Sequence, residues 1–210
     1  MRKHNLPLSL HSNTLSTTTS PSCVDTPTTK CFTTHEFIGD SDPSSTIPTG
    51  QIDLTNTPYN RFTSFVFYSC LFRDCKANYG GGIYLKAGST VSLTVSKGEF
   101  YSCKAAPYRG GGIYVEGIGE VHIEDTLLFE CIAEAQLEYG GAGIEMVSLQ
   151  KPPRIESCAF ISCSSGDDAG GLGIWFIPVY QETCDRMSFY CLSGAVSIPF
   201  RWRRHYHIGI

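Results

Sequence analysis

The sequence predicts an all-β chain folded as a parallel β-helix, a solenoid of about four to five coils. Three observations predict it. A diglycine recurs every 30 residues, beginning at Gly80, Gly110, Gly140 and Gly170. Upstream of each stands a cysteine three residues after a phenylalanine or leucine, in FRDC, FYSC, LFEC and FISC. After each diglycine, apolar residues alternate with the two-residue period of a strand.

The N-terminal part, residues 1–50, is rich in Ser, Thr and Pro and reads as mostly disordered. Within it, Cys31–Ile38 holds enough apolar residues for a partial first rung or a cap. The repeats occupy residues 51–195. The column cysteines are Cys75, Cys103, Cys131 and Cys163, spaced 28, 28 and 32 apart, and Cys191 falls another 28 on. Three residues before each of the four stand Phe72, Phe100, Leu128 and Phe160; eight before stand Phe67, Val95, Ile123 and Ile155. After the glycines come Ile83, Ile113, Ile144 and Ile174, then Leu85, Val115, Met146 and Phe176 two residues on. Segments between cysteine and glycine vary in length and read as loops. Residues 196–210 are basic and aromatic, fit no repeat, and form an atypical tail or cap.

One such unit cannot bury its apolar side alone. Stacked units can, because like residues fall above one another at about 4.8 Å. The paired glycines Gly80, Gly81, Gly110, Gly111, Gly140, Gly141, Gly170 and Gly171 are therefore structural. A corner between sheets needs a positive φ or close approach of coils, and glycine permits both. A phosphate-cradling role is disfavoured because a strand, not a helix, follows them. Kelch blades repeat at about 50 residues and calcium-binding rolls at about nine, so neither fits. The general crossover rule favours a right-handed path.

Composition narrows the function. Net charge is −4 and charged residues make up 17%, which argues against a nucleic-acid partner. No apolar run has the length of a membrane helix, and the apolar stretch Leu6–Leu10 is too short for a secretory leader. There is no C-x-x-C, no H-E-x-x-H, no P-loop and no G-x-S-x-G, and neither metal nor cofactor is expected.

The stretches FRDCKANYGGGIYL and FYSCKAAPYRGGGIYV resemble the F-x-x-N and G-G-A-[ILV] repeats of the polymorphic outer-membrane protein family. The resemblance covers about Phe65 to Phe176. Cysteine stands where that family has asparagine, and the third glycine-motif position is Gly, Ala or Leu. The resemblance implies a right-handed parallel β-helix displayed extracellularly or on a cell surface, often adhesive. The family's export signal and C-terminal membrane barrel have no counterpart in the sequence as written.

Six candidate features carry chemistry. The cysteine column reads as buried thiols packing as small hydrophobes, because rung spacing exceeds the usual Cβ separation of a disulfide. Cys23–Cys31 is the pair expected to bridge in an oxidising compartment. The residues after the repeated isoleucines, Tyr84, Tyr114, Glu145 and Trp175, are expected to form one outward row suited to a glycan or protein ligand. Cross-strand stacking that stiffens the sheet also explains that row. Asp167 and Asp168 read as a polar turn, since the equivalent turns hold no convergent carboxylates. His122 and Glu124, with Arg154 and Glu156 one rung away, read as a salt-bridged face. His205 and His207 alone do not close a metal site.

The function expected from this is a non-enzymatic surface scaffold for adhesion or ligand presentation. The alternatives are a polysaccharide lyase or hydrolase on a pectin-lyase-like β-helix, or a fragment of a larger surface protein. Exposed solenoid ends would permit end-to-end self-association.

Overall fold

A computed structural model describes residues 23–40, 50–134, 141–165, 172–176, 187–191 and 208–209. These form strands and turns with no helix among them, so none holds a helix long and apolar enough to cross a membrane. Most of the Ser/Thr/Pro-rich stretch (1–22 and 41–49), Gly140, Asp167, Asp168, Gly170, Gly171, and His205 and His207 of the tail lie outside the described residues.

The first coil comprises β1 (Thr29–Thr33), β2 (Glu36–Ile38) and β3 (Ile52–Asp53). The second holds β4 (Ser64–Tyr68), β5 (Leu71–Arg73), β6 (Lys76–Ala77) and β7 (Ile83–Lys86). The third holds β8 (Ser92–Ser96), β9 (Glu99–Tyr101), β10 (Lys104–Ala105) and β11 (Ile113–Glu116). The fourth holds β12 (Glu120–Glu124), β13 (Leu127–Phe129), β14 (Ile132–Ala133) and β15 (Ile144–Leu149). Next come β16 (Arg154–Ile161), β17 (Ser164–Ser165) and β18 (Leu172–Phe176), followed by β19 (Met187–Cys191) and β20 (Ile208–Gly209).

Every pairing is parallel, and each strand pairs with the equivalent strand of the next coil. The result is a parallel β-helix of about four turns. The first coil starts at Thr29, well before residue 51 where the repeats were expected to begin, because Phe32 and Phe37 of Cys31–Ile38 stack on Phe67 and Phe72 and so form a rung of the sheet.

The lumen is filled by ladders of like residues. Phe37, Phe72 and Phe100 stack face to face at 4.6 and 4.5 Å, and Leu128 and Phe160 continue the column. Phe32 stacks on Phe67 at 4.6 Å. Ile83, Ile113, Leu85 and Val115 are fully buried. Each such side chain contributes about 1.5–3 kcal/mol when removed from water.

The corners explain the cysteines. The chain turns through a left-handed residue just before each column cysteine, at Asp74, Ser102, Glu130 and Ser162, with φ of 50–54°. A second corner, at Ser69, Lys97, Asp125 and Ser157, precedes Cys70, Gly98, Thr126 and Cys158. At both corners the kink leaves a carbonyl two residues back. The thiols of Cys103 and Cys131 donate to the carbonyls of Tyr101 and Phe129, at 3.6 and 3.8 Å. Thr126 makes the same bond with its hydroxyl, to the Glu124 carbonyl at 2.8 Å. A small side chain with one donor and an otherwise apolar body serves here. Short polar residues tolerate the left-handed region, which accounts for the Asp and Ser before the cysteines.

The glycines serve both purposes expected of them. Gly110 has φ of 69°. Gly111 lies so close to the next coil that a Cβ would meet the carbonyl oxygens of Ala142 and Ile132 at 2.5 Å.

Three expectations need correction. The residues after the column cysteines form a third sheet, β6–β10–β14–β17, instead of loops. Leu172, not Ile174, pairs with Ile144, so Ile174 faces Met146 and Trp175 stands beside Val147. Leu172, Ile174 and Phe176 alternate, and a two-residue slip keeps every side chain on its own face, so periodicity could not fix the register. Cys191 pairs with Phe160 and so falls outside the cysteine column.

Candidate functional site: a tyrosine cluster on the third face

The sheet β3–β7–β11–β15–β18 places Asp53, Tyr84, Tyr114, Glu145 and Gly173 side by side across five rungs. Thus three of the four residues expected in one row are brought together, and Trp175 is not. Nor is the row exposed. Tyr84 is half-buried, Tyr114 is 5% exposed and Glu145 is fully buried. The reason is that the turns before the glycines fold back over this face.

Tyr79, in the turn before Gly80, packs on Tyr84 and Tyr114 with ring centroids at 5.8 and 4.9 Å. Gln51 of the preceding coil anchors that turn by donating its side-chain amide to the carbonyls of Tyr79 and Gly80. Tyr108, in the next turn, lies flat on Tyr79 at 4.4 Å and 5°. Its neighbour Arg109 reaches the buried Glu145 carboxylate at 3.7 Å, and that carboxylate also accepts the Gly141 N–H.

The lower ring is locked in place. The Tyr114 hydroxyl donates to Glu116 at 2.9 Å, and Lys86 pairs with the other Glu116 oxygen at 2.7 Å. Burial first, and the bond to Glu116 second, push the Tyr114 hydroxyl far above the ordinary phenol range. It therefore stays a donor across the physiological range. Tyr108 is the exposed member of the group, with 41% of its surface open. The cluster offers an aromatic face, a guanidinium, an ammonium and a carboxylate on a rigid support. That set suits contact recognition by stacking and hydrogen bonding.

Tyr79, Tyr108 and Arg109 were not singled out from sequence. The available signal was a tyrosine one or two residues before a diglycine, at Tyr79, Tyr108 and Tyr139.

The second candidate face is on β12 and β16. His122 lies beside Arg154 and Glu124 beside Glu156, in the register expected. Donor atoms of His122, Glu124 and Glu156 come within 4.8 Å of one another. However, Arg154 holds both oxygens of Glu156 at 2.8 and 2.9 Å, and His122 approaches Glu124 at 3.4 Å. A metal would have to displace the guanidinium, so this is an ion-paired surface.

The cysteine column is a stack of buried free thiols at Cys75, Cys103, Cys131 and Cys163, and Cys70 and Cys158 are also free and buried. Burial pushes the Cys103 thiol well up and that of Cys158 to about 12. The adjoining Cys131 side chain first, then burial, does the same for Cys163. The column thiols are buried and sit against backbone carbonyls, so the geometry is that of packing groups. Cys23 and Cys31 form the disulfide.

No protein-family model, curated protein or solved structure matches the chain.

Proposed function

We propose that this chain is a non-catalytic β-helix scaffold, displayed extracellularly or on a cell surface, that presents the turn tyrosines to a glycan. The observation carrying this is the Tyr108 ring. It is held flat on Tyr79, open to solvent, and flanked by Arg109 on a frame that does not need Tyr108 for its own core. A pre-ordered aromatic face with charged neighbours lowers the ordering cost of binding a sugar ring. The Cys23–Cys31 disulfide fits an oxidising compartment, and the resemblance of the repeats to polymorphic outer-membrane proteins supports surface display.

The test is a glycan array followed by titration of each hit against wild type and Tyr108→Ala. Loss of one exposed stacking ring should weaken binding about tenfold, from about 1–1.5 kcal/mol of aromatic contact. The melting temperature should not change. Binding to a protein ligand alone, with the same sensitivity at Tyr108, would overturn the ligand class. Equal binding by Tyr108→Ala would overturn the site.

A further inference from the structure

We infer that Cys23–Cys31 is a redox latch holding a cap over the terminal edge of the largest sheet. Among the described residues, β1 ends the path β1–β4–β8–β12–β16. Alternate residues of β1 face β4: the Thr28 carbonyl accepts from Ser64, and Thr34 N–H donates to Tyr68. Thr29 and Cys31 therefore point their backbone groups away from the sheet. An open edge of this kind is a template for strand pairing.

The segment just before β1 closes it. The Thr29 carbonyl accepts the Thr26 N–H at 2.9 Å, and the Thr29 N–H donates to the Thr26 hydroxyl at 2.9 Å. The Cys31 N–H donates to Asp25 Oδ1 at 2.8 Å, while Lys30 holds Asp25 Oδ2 at 2.5 Å. Thr26 and Asp25 thus take up backbone groups that a neighbouring strand would otherwise use.

Each of these bonds is at the surface and is individually weak. The disulfide joins Cys23 to Cys31 across the same span, with Cα atoms 5.7 Å apart. It keeps Asp25 and Thr26 at high effective concentration beside β1. Both sulfurs belong to partly exposed residues, whereas Cys70, Cys75, Cys103, Cys131, Cys158 and Cys163 are buried. A reductant therefore reaches the latch without reaching the core thiols.

The chemistry is an ordinary exchange. A small dithiol attacks one sulfur of the bridge, and its second thiol then resolves the mixed disulfide. Two electrons and two protons pass to Cys23 and Cys31, leaving two thiols on the protein and one cyclic disulfide on the reductant. The cap is then held by surface hydrogen bonds alone and frays, opening the edge at Thr29 and Cys31.

The test uses the full chain, oxidised and after native-state treatment with dithiothreitol. Amide exchange is read by site-resolved NMR, and alkylation by peptide mass spectrometry. Reduction should make Cys23 and Cys31 alkylatable while Cys103 and Cys131 stay unlabelled. Protection of the Thr29 and Cys31 amides should fall about tenfold or more, with the Tyr101 and Phe129 amides unchanged. Cys23→Ser should reproduce the loss under oxidising conditions. Should that variant fail to fold, the reversible reduction of the wild type decides. Unchanged exchange at Cys31 after complete reduction would overturn the inference, as would labelling of the column thiols at the same rate as Cys23.

Discussion

Close approach of successive coils makes a sharp prediction at two glycines. At Gly111 a methyl group would stand 2.5 Å from the oxygens of Ala142 and Ile132 and 2.6 Å from the Ile132 nitrogen. All three atoms are backbone, so no side chain can move aside. Restoring an ordinary carbon–oxygen contact requires the coils to part by roughly 0.7 Å or more. Bonds across that gap include Gly112 N–H to the Gly143 carbonyl at 3.0 Å and Ile132 N–H to the Cys103 carbonyl at 2.9 Å. Stretching two buried backbone bonds, at about 1–1.5 kcal/mol each, plus local overpacking, gives about 3 kcal/mol or more for Gly111→Ala. Gly88 is the matched control, because a Cβ there meets nothing within 4 Å and its φ is not left-handed. Gly88→Ala should be neutral or stabilise by up to about 1 kcal/mol through the unfolded chain. Urea melts followed by far-ultraviolet circular dichroism measure both. If Gly111→Ala falls within about 0.5 kcal/mol of wild type, the close-approach explanation of the diglycine is wrong.

Three further outcomes follow from the same geometry. Cys131→Ala should lower stability by about 1–2 kcal/mol, since it empties volume in the column and removes the donor to Phe129; a neutral result in a urea melt would show that the thiol neither fills nor donates usefully. Tyr114→Ala should destabilise measurably while Tyr108→Ala does not, and calorimetric melts showing equal losses would contradict the division between supporting and presenting rings. The Lys30 hydrogen bond first, and the Cys31 N–H second, hold Asp25 below its ordinary 3.8. A depressed carboxylate stabilises above its unfolded value and loses that contribution as pH falls through the folded one. The Cys31 amide proton should therefore titrate with a midpoint below 3.8, and a midpoint at or above that value would remove Asp25 from the cap.

Much of the coil was legible because it is written in repeated columns. Phe72 over Phe100 and Cys103 over Cys131 follow directly from spacing, since stacking like on like is what buries a unit too small to fold alone. The corners were less legible. Asp74, Ser102, Glu130 and Ser162 share a backbone conformation but not a single side-chain type, so no column announces them. The register at Leu172 was lost because alternation is invariant to a slip of two. The exposure of the Tyr84–Tyr114–Glu145 row was misjudged for a different reason. Strand periodicity says which side of a sheet Tyr114 occupies, but not whether a turn from the same chain covers that side. Tyr79 and Arg109 do cover it, and variable turn lengths hid them from a column alignment.

Under the proposed glycan-binding role, that covering separates support from contact. A flat sheet of tyrosines would place the same residues in charge of both stability and contact. Here the two tasks fall on different layers. Tyr114 and Glu145 are buried and tied to Glu116, Gly141 and Arg109, so substituting them disturbs the frame. Tyr108 and its turn sit above that layer, stacked on Tyr79 and open to solvent. Turns tolerate changes of length and sequence that strands in a ladder do not. A β-helix built this way can alter its contact surface turn by turn while the phenylalanine and cysteine columns remain fixed. Ligand specificity should therefore respond to exchange of the segments before Gly80 and Gly110, and not to substitution along the sheet beneath them.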